Sequence, residues 1–295
     1  MERMMQSPED RIRSLGIWSG PLTIEPLSGG MTNRNYRVRD GARTVAVRFG
    51  EDIPVHMISR ANEFAASQAA HAAGISPAVV HHAPGILVME YLEARTFGPN
   101  DINDPANLNR VIPLIRRCHT EMPKHFRGPA MIFWVFQVVR DYANTLREGD
   151  SAYLPELKTL LKRAEQLESA AGPYTIAFGH NDLLAANFMD DGKRLWLIDW
   201  DYAGFNSPLF DLGGLASNNS LLEAKEHMLL EAYFEQPLSD MVWRRYQAMK
   251  CASLLRETMW SMVSEIHSTI GFDYQSYTTE NRTRFDRAFD AFKDI

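Results

Sequence analysis

Hydrophobic and polar positions change their period partway along the chain. Tyr36, Val38, Val45, Val47 and Phe49 alternate with polar or small residues on either side of the turn signal Asp40-Gly41, which predicts a β-hairpin. Residues 22–25 before it, and 78–80 and 86–90 after it, read as further strands. Ser28-Gly29-Gly30 separates the first strand from the hairpin. Residues 59–73 are Ala-rich and helical, and they stop at Gly74. The chain opens on a short helix, with Ser7, Pro8 and Asp10 as a capping-box-like start.

After Tyr91 the strands nearly vanish and the helical period takes over. Residues 104–119 read as a helix that Pro113 is expected to kink or split. Residues 133–147 and 154–170 read as amphipathic helices, and the chain from 207 onward is helical again. One interruption stands out: 187–189 and 195–198 are short apolar runs around Asp190-Asp191-Gly192, a hairpin signal. The expected architecture is α+β with two lobes. Residues 1–92 form a small β-rich lobe and residues 93–295 a larger helical one, with the ligand between them.

Composition narrows the class. Of 295 residues, 45% are hydrophobic and 23% charged, as in a soluble globular protein. Lys plus Arg number 31 against 37 Asp plus Glu, a net charge of −6 that argues against a dedicated nucleic-acid binder. No apolar run reaches the ~18 residues of a membrane span, and the first residues lack a signal-peptide core. Cys118 and Cys251 make no disulfide framework, so the expected compartment is the cytoplasm.

The chemistry concentrates in Gly179-His180-Asn181-Asp182-Leu183-Leu184-Ala185-Ala186-Asn187, followed by Leu197-Ile198-Asp199-Trp200. A hairpin between these segments brings Asp182, Asn187 and Asp199 together. Phosphoryl transfer needs this set: one carboxylate to orient the hydroxyl and accept its proton, and an amide oxygen plus a second carboxylate to hold Mg²⁺ against phosphates. Either half alone is also what a turn and a hairpin end look like. Leu27-Ser28-Gly29-Gly30-Met31-Thr32-Asn33 lets backbone N–H groups approach an anion, as many plain hairpin loops do. Arg48 lies on the third strand with Glu63 on the next helix, a strand cation and helix acid that complete the order seen in kinases. His81-His82 has no metal-ligand spacing and reads as a solvated loop.

The Asp182, Asn187 and Asp199 set resembles the aminoglycoside-phosphotransferase and choline-kinase superfamily, relatives of protein kinases. Ile198-Asp199-Trp200-Asp201-Tyr202-Ala203-Gly204-Phe205-Asn206, ending in Phe210-Asp211-Leu212, is similar to the corresponding stretch of choline and ethanolamine kinases, bacterial choline kinases included. The resemblance runs from about residue 20 to 290. It implies ATP and Mg²⁺ as cofactors and a small cationic alcohol as substrate. Asp182 is then the catalytic base, Asn187 and Asp199 the metal ligands, and Asp201 the edge of that site. Ser28, Gly29, Gly30, Thr32 and Asn33 belong to the nucleotide loop, and Arg48 meets phosphates with Glu63 behind it. Met89, Glu90, Tyr91 and Leu92 form the hinge beside adenine. Late aromatics Trp260, Phe272, Tyr274 and Tyr277, with Tyr202 from the hairpin side, stand where the family builds its choline pocket; ring faces attract a quaternary ammonium.

Two positions depart from the pattern. Glu257 stands one turn before Trp260, where a second aromatic is common; a carboxylate suits a hydrogen-bonding primary ammonium. Ser217 or Asn218 replaces a pocket acid. The expected activity is phosphorylation of choline, with ethanolamine second. The alternatives are an aminoglycoside or other small-molecule kinase, and a nucleotide-binding protein without catalysis.

Overall fold

The computed structural model describes residues 7–27, 33–173 and 175–295. The first helix, α1 (Pro8–Ser14), starts as its sequence demands: Ser7 Oγ caps the Asp10 N–H. Five antiparallel strands follow, β1 (Leu22–Leu27), β2 (Arg34–Asp40), β3 (Arg43–Phe49), β4 (Val79–Ala83) and β5 (Ile86–Glu90), in the order β1-β2-β3-β5-β4. Gly41 makes the β2–β3 turn at φ +61°, a conformation glycine adopts without strain. Alternation then sorts the sheet. Tyr36, Val38, Val45, Val47, Phe49, Ile86 and Val88 form its buried outer core, closed by Ile12 of α1. Ala46, Arg48, Leu87 and Met89 pair across β3 and β5 on the opposite face, toward the helical lobe.

Helix α2 (Arg60–Ala72) follows β3, but its alanines do not join that core. Ala66, Ala69 and Ala70 pack with Ile75 into the large core of the C-terminal part, against α4. The helix thus spans the two halves.

Beyond β6 (Arg95–Thr96) and α3 (Pro99–Ile102), helix α4 (Pro105–His125) runs unbroken through both Pro113 and Pro123. The expected split at Pro113 does not occur, and the helix continues six residues past 119. Its buried stripe, from Leu108 to Met122, holds it in place. Next come α5 (Val135–Glu148), α6 (Leu154–Ala171), β7 (Ala177–Gly179), β8 (Phe188–Asp190), β9 (Leu195–Leu197), β10 (Gly204–Asn206), α7 (Pro208–Asn218), α8 (Glu223–Phe234), α9 (Asp240–His267) and α10 (Tyr274–Lys293). The predicted hairpin is β8–β9, with β6 added at its edge.

The short strands β6, β7 and β10 are absent from the sequence expectation. Two or three residues are too short to show a period, and only their long-range partners define them. β7 and β10 pair side by side and pin the start of the 179–187 loop beside the end of the 199–204 loop. Helix α9 is the axis of the larger half, packed by α5, α6, α7 and α10. Gly213 permits the α7 approach, since a Cβ there would lie 2.8 Å from the Lys250 backbone. The whole is the α+β arrangement expected from the sequence, a β-rich N-terminal part followed by a helical C-terminal part. No helix among the described residues is long and apolar enough to cross a membrane.

Candidate active site

The loop before β8 is held from behind by one buried carboxylate. Asp211, on the first turn of α7, accepts the His180 N–H at 2.8 Å and the Asn181 N–H at 2.7 Å. His119 of α4 stands 2.9 Å from the same group, and Tyr233 stands behind His119 at 2.7 Å. Burial works to raise the Asp211 carboxyl, yet its His119 and backbone partners outweigh burial and hold it below the usual carboxylate range. Asn181 takes φ +65° and donates to the Tyr202 and Gly204 carbonyls, which ties the two loops together. His180 is buried and its pKa is lowered by that burial; its Nε2 lies 2.9 Å from the Ile198 carbonyl.

This frame delivers the three predicted groups to one place. The Asn187 side-chain amide donates to the Asp182 carbonyl at 2.9 Å, which fixes Asn187 and leaves its oxygen for other work. Asp199 ends the hairpin at φ +71°, a left-handed conformation uncommon for a non-glycine residue and often found at working sites. The Asp182 side chain is one-fifth exposed. Enclosure of its carboxyl lifts the pKa to about 8; Arg256 opposes this, while Glu257, Asp199 and Asp201 add to it.

Above them, Arg48 reaches down from β3. Its Nη1 meets Glu63 at 2.6 Å and Asp201 at 3.3 Å, and its Nη2 meets Asp199 Oδ2 at 2.8 Å. Burial works to raise the Asp199 carboxyl, but Arg48 more than offsets it and holds it low. Asp201, enclosed and beside that charge, moves upward instead. The other Asp199 oxygen, Oδ1, is buried and has no hydrogen-bond partner among the described residues. A bare carboxylate oxygen and the Asn187 amide oxygen are hard-oxygen donors of the kind that suit Mg²⁺. Among the described residues no cluster of three His, Cys, Asp or Glu side chains forms a closed metal cage. Mg²⁺ commonly takes few protein ligands and completes its shell with phosphates and water.

Two basic residues in this site were not picked out from the sequence. Arg60, at the start of α2, bridges Glu63 and Asp201, both at 2.7 Å. Its signal was the spacing of three from Glu63 on one helix face. Arg256 on α9 donates to Glu257 at 2.9 Å and lies 4.0 Å from Asp182. Its signal was a charged pair inside a helical stretch that is otherwise buried and largely apolar. Asn62, next to Glu63, ties α2 to the Ala203 carbonyl at 2.8 Å.

The remaining predicted residues fall as follows. Ser28, Gly29, Gly30 and Thr32 lie outside the described residues, whereas Asn33 donates to Asp201 at 3.2 Å. Met89 sits opposite Ala46 on the cleft face, Glu90 is exposed, and the Tyr91 N–H donates to the Thr44 carbonyl. Leu92 follows in the linker and is half-buried. Trp260 is buried, donates to the Tyr202 hydroxyl at 2.9 Å and meets the edges of Tyr274 and Tyr277. Phe272, 42% exposed, touches both tyrosines at the rim. The Tyr202 face is covered by the Arg256 guanidinium, 4.3 Å from the ring centre. Glu257 receives the Tyr277 hydroxyl at 2.7 Å. His56, from the segment between β3 and α2, packs on Trp260 and reaches Ser264 at 3.0 Å.

A model of the phosphotransferase enzyme family matches residues 23–249. A probable ethanolamine kinase of Arabidopsis thaliana is 26% identical over 93% of this chain and 82% of its own length. The solved choline/ethanolamine kinase family protein of Mesorhizobium loti is 28% identical, covers 94% of each chain and superposes with a TM-score of 0.75. The choline kinase LicA of Streptococcus pneumoniae, 24% identical over 96% and 97% of the two chains, shares the fold at a TM-score of 0.75.

Proposed function

The chain belongs to the phosphotransferase enzyme family, and from that premise we propose that it phosphorylates the hydroxyl of a small amino alcohol, using ATP and Mg²⁺. The observation that carries this reading is the Arg48 bridge. One strand cation touches the helix acid Glu63 and both hairpin acids, Asp199 and Asp201. Residues 1–92 are the nucleotide-binding lobe in this reading, and 93–295 the catalytic and acceptor lobe. Met89 to Leu92 line the adenine edge, and the Ser28-to-Asn33 segment is assigned to phosphate binding.

Asn187 and Asp199 would hold Mg²⁺, with Asp201 at the edge as anchor for Arg48 and Arg60. The metal, when bound, neutralises phosphate charge and orients the transferred group. Arg48, kept in line by Glu63, supplies a fixed positive charge to the phosphates. Asp182 orients the acceptor hydroxyl and takes its proton; a carboxyl lifted toward neutrality is matched to that work. Asp211 and His119 keep the Asp182 loop from relaxing.

The acceptor is choline first, because Trp260, Tyr274, Tyr277 and Phe272 converge beside this centre. Ethanolamine is second. It is favoured by the Glu257 carboxylate on the same wall and by the naming of the Arabidopsis relative. An aminoglycoside would want an acid-rich cleft, and Glu257 is already paired with Arg256. ATP turnover measured against choline, ethanolamine, thiamine and kanamycin, with and without Mg²⁺, tests the reading. Mg²⁺-dependent ADP release with choline or ethanolamine is expected; turnover of kanamycin alone would overturn it.

A further inference from the structure

Arg256 and Glu257 form a charged pair inside the acceptor wall. The Arg256 side chain is 5% exposed, and its Nη1 donates to Glu257 Oε2 at 2.9 Å. Nε and Nη2 are buried without a hydrogen-bond acceptor among the described residues. Unpartnered buried donors work against stability, so packing does not explain why a guanidinium stands there. What it does is visible in its contacts. It lies over the Tyr202 ring at 4.3 Å and takes one Glu257 oxygen, while Tyr277 takes the other at 2.7 Å.

An acceptor nitrogen entering this wall meets a carboxylate whose charge is already compensated at contact distance. It also meets one aromatic face, that of Tyr202, already filled by a cation. Among the described residues, the rings of Trp260, Tyr274, Tyr277 and the rim residue Phe272 carry no cation. Ring faces attract a methylated ammonium without supplying hydrogen-bond acceptors. A primary ammonium brings three N–H donors that need them.

We propose that Arg256 is a positioning residue for acceptor choice: it withdraws Glu257 as its own counter-ion and occupies Tyr202, so that the site selects a methylated ammonium alcohol over a primary one. This rests on the amino-alcohol kinase reading.

The test is steady-state kinetics with choline and ethanolamine for the parent enzyme, Arg256→Met, Arg256→Lys, Glu257→Gln and the Arg256→Met/Glu257→Gln double variant. Arg256→Met frees the carboxylate. The ethanolamine-to-choline ratio of kcat/KM should rise at least tenfold, chiefly through KM. Arg256→Lys keeps the counter-ion and should stay within threefold of the parent ratio, as should the double variant. Glu257→Gln alone should lower both acceptors by a similar factor. An unchanged ratio in Arg256→Met overturns the proposal. So does a more than tenfold selective loss of ethanolamine in Glu257→Gln, which would make Glu257 the acceptor's own counter-ion. If Arg256→Met does not fold, Glu257→Gln decides alone. If the parent enzyme turns over neither amine, the amino-alcohol reading itself fails.

Discussion

On the phosphate side of the cleft, Arg48 and Arg60 meet Glu63, Asp199 and Asp201 in ion pairs of 2.6–3.3 Å. On the acceptor side, Trp260, Tyr274, Tyr277 and Phe272 meet edge to face, with ring centres 5.0–6.4 Å apart. The first region is a concentration of charge in which Asp199 Oδ1 has no hydrogen-bond partner among the described residues. The second is an apolar cluster that contains the Arg256–Glu257 ion pair. In the proposed function, the difference follows from what each region would hold. Triphosphate and metal carry dense charge and need fixed charges in return. A small organic cation carries diffuse charge, and ring faces hold it while losing little to desolvation.

Asp182 lies where the two regions meet, so its removal should have the largest effect. Asp182→Asn keeps the size of the side chain and removes the proton acceptor. A drop in kcat of about 10²–10⁴-fold is expected, with nucleotide affinity nearly unchanged. Steady-state rates together with nucleotide titration check this, and near-normal turnover would separate Asp182 from the chemistry.

The next test belongs to the phosphate side alone. Asp199→Ala removes both the Arg48 partner and the bare oxygen. Saturating Mg-ATP at 100-fold above Kd should stabilise the parent by about 2.7 kcal/mol. Most of that gain should vanish in the variant, read as a smaller shift in Tm, while metal-free nucleotide behaves alike in both. An intact Mg-ATP shift would show that the charged cluster is structural.

The smallest effect belongs to the aromatic side and to pH. His56 is buried against Trp260 and between Tyr142 and Ser264, and burial lowers its pKa to about 3. The unfolded chain takes up this proton near pH 6.5 and the folded one does not. Its stabilising share is therefore complete above about pH 6.5 and is lost as the pH falls toward 3. By pH 5 the loss is about 2 kcal/mol. His56→Asn should flatten the fall of Tm between pH 7 and pH 5. An equal slope in parent and variant would place the acid sensitivity elsewhere.

Much of the phosphate side was readable along the chain because its residues come in contiguous runs. Asp182 and Asn187 are five apart in one loop, and the Asp190-Asp191-Gly192 turn folds Asp199 back onto them. Period-two alternation likewise put Arg48 on one face of β3 and the core residues on the other. Local spacing determines such features, because turns and pleats act over a few residues.

What only the tertiary structure decided depends on side chains meeting across separate helices. Arg256 and Glu257 are neighbours in sequence, but nothing there says that one covers Tyr202 while the other receives Tyr277. Pro113 signals a break, yet the buried stripe of α4 outweighs it. β7 and β10 exist only as each other's partners. The physical reason is common to all three. Local propensities are worth about 1–3 kcal/mol at a position, and packing among distant elements supplies energies as large that no local pattern records.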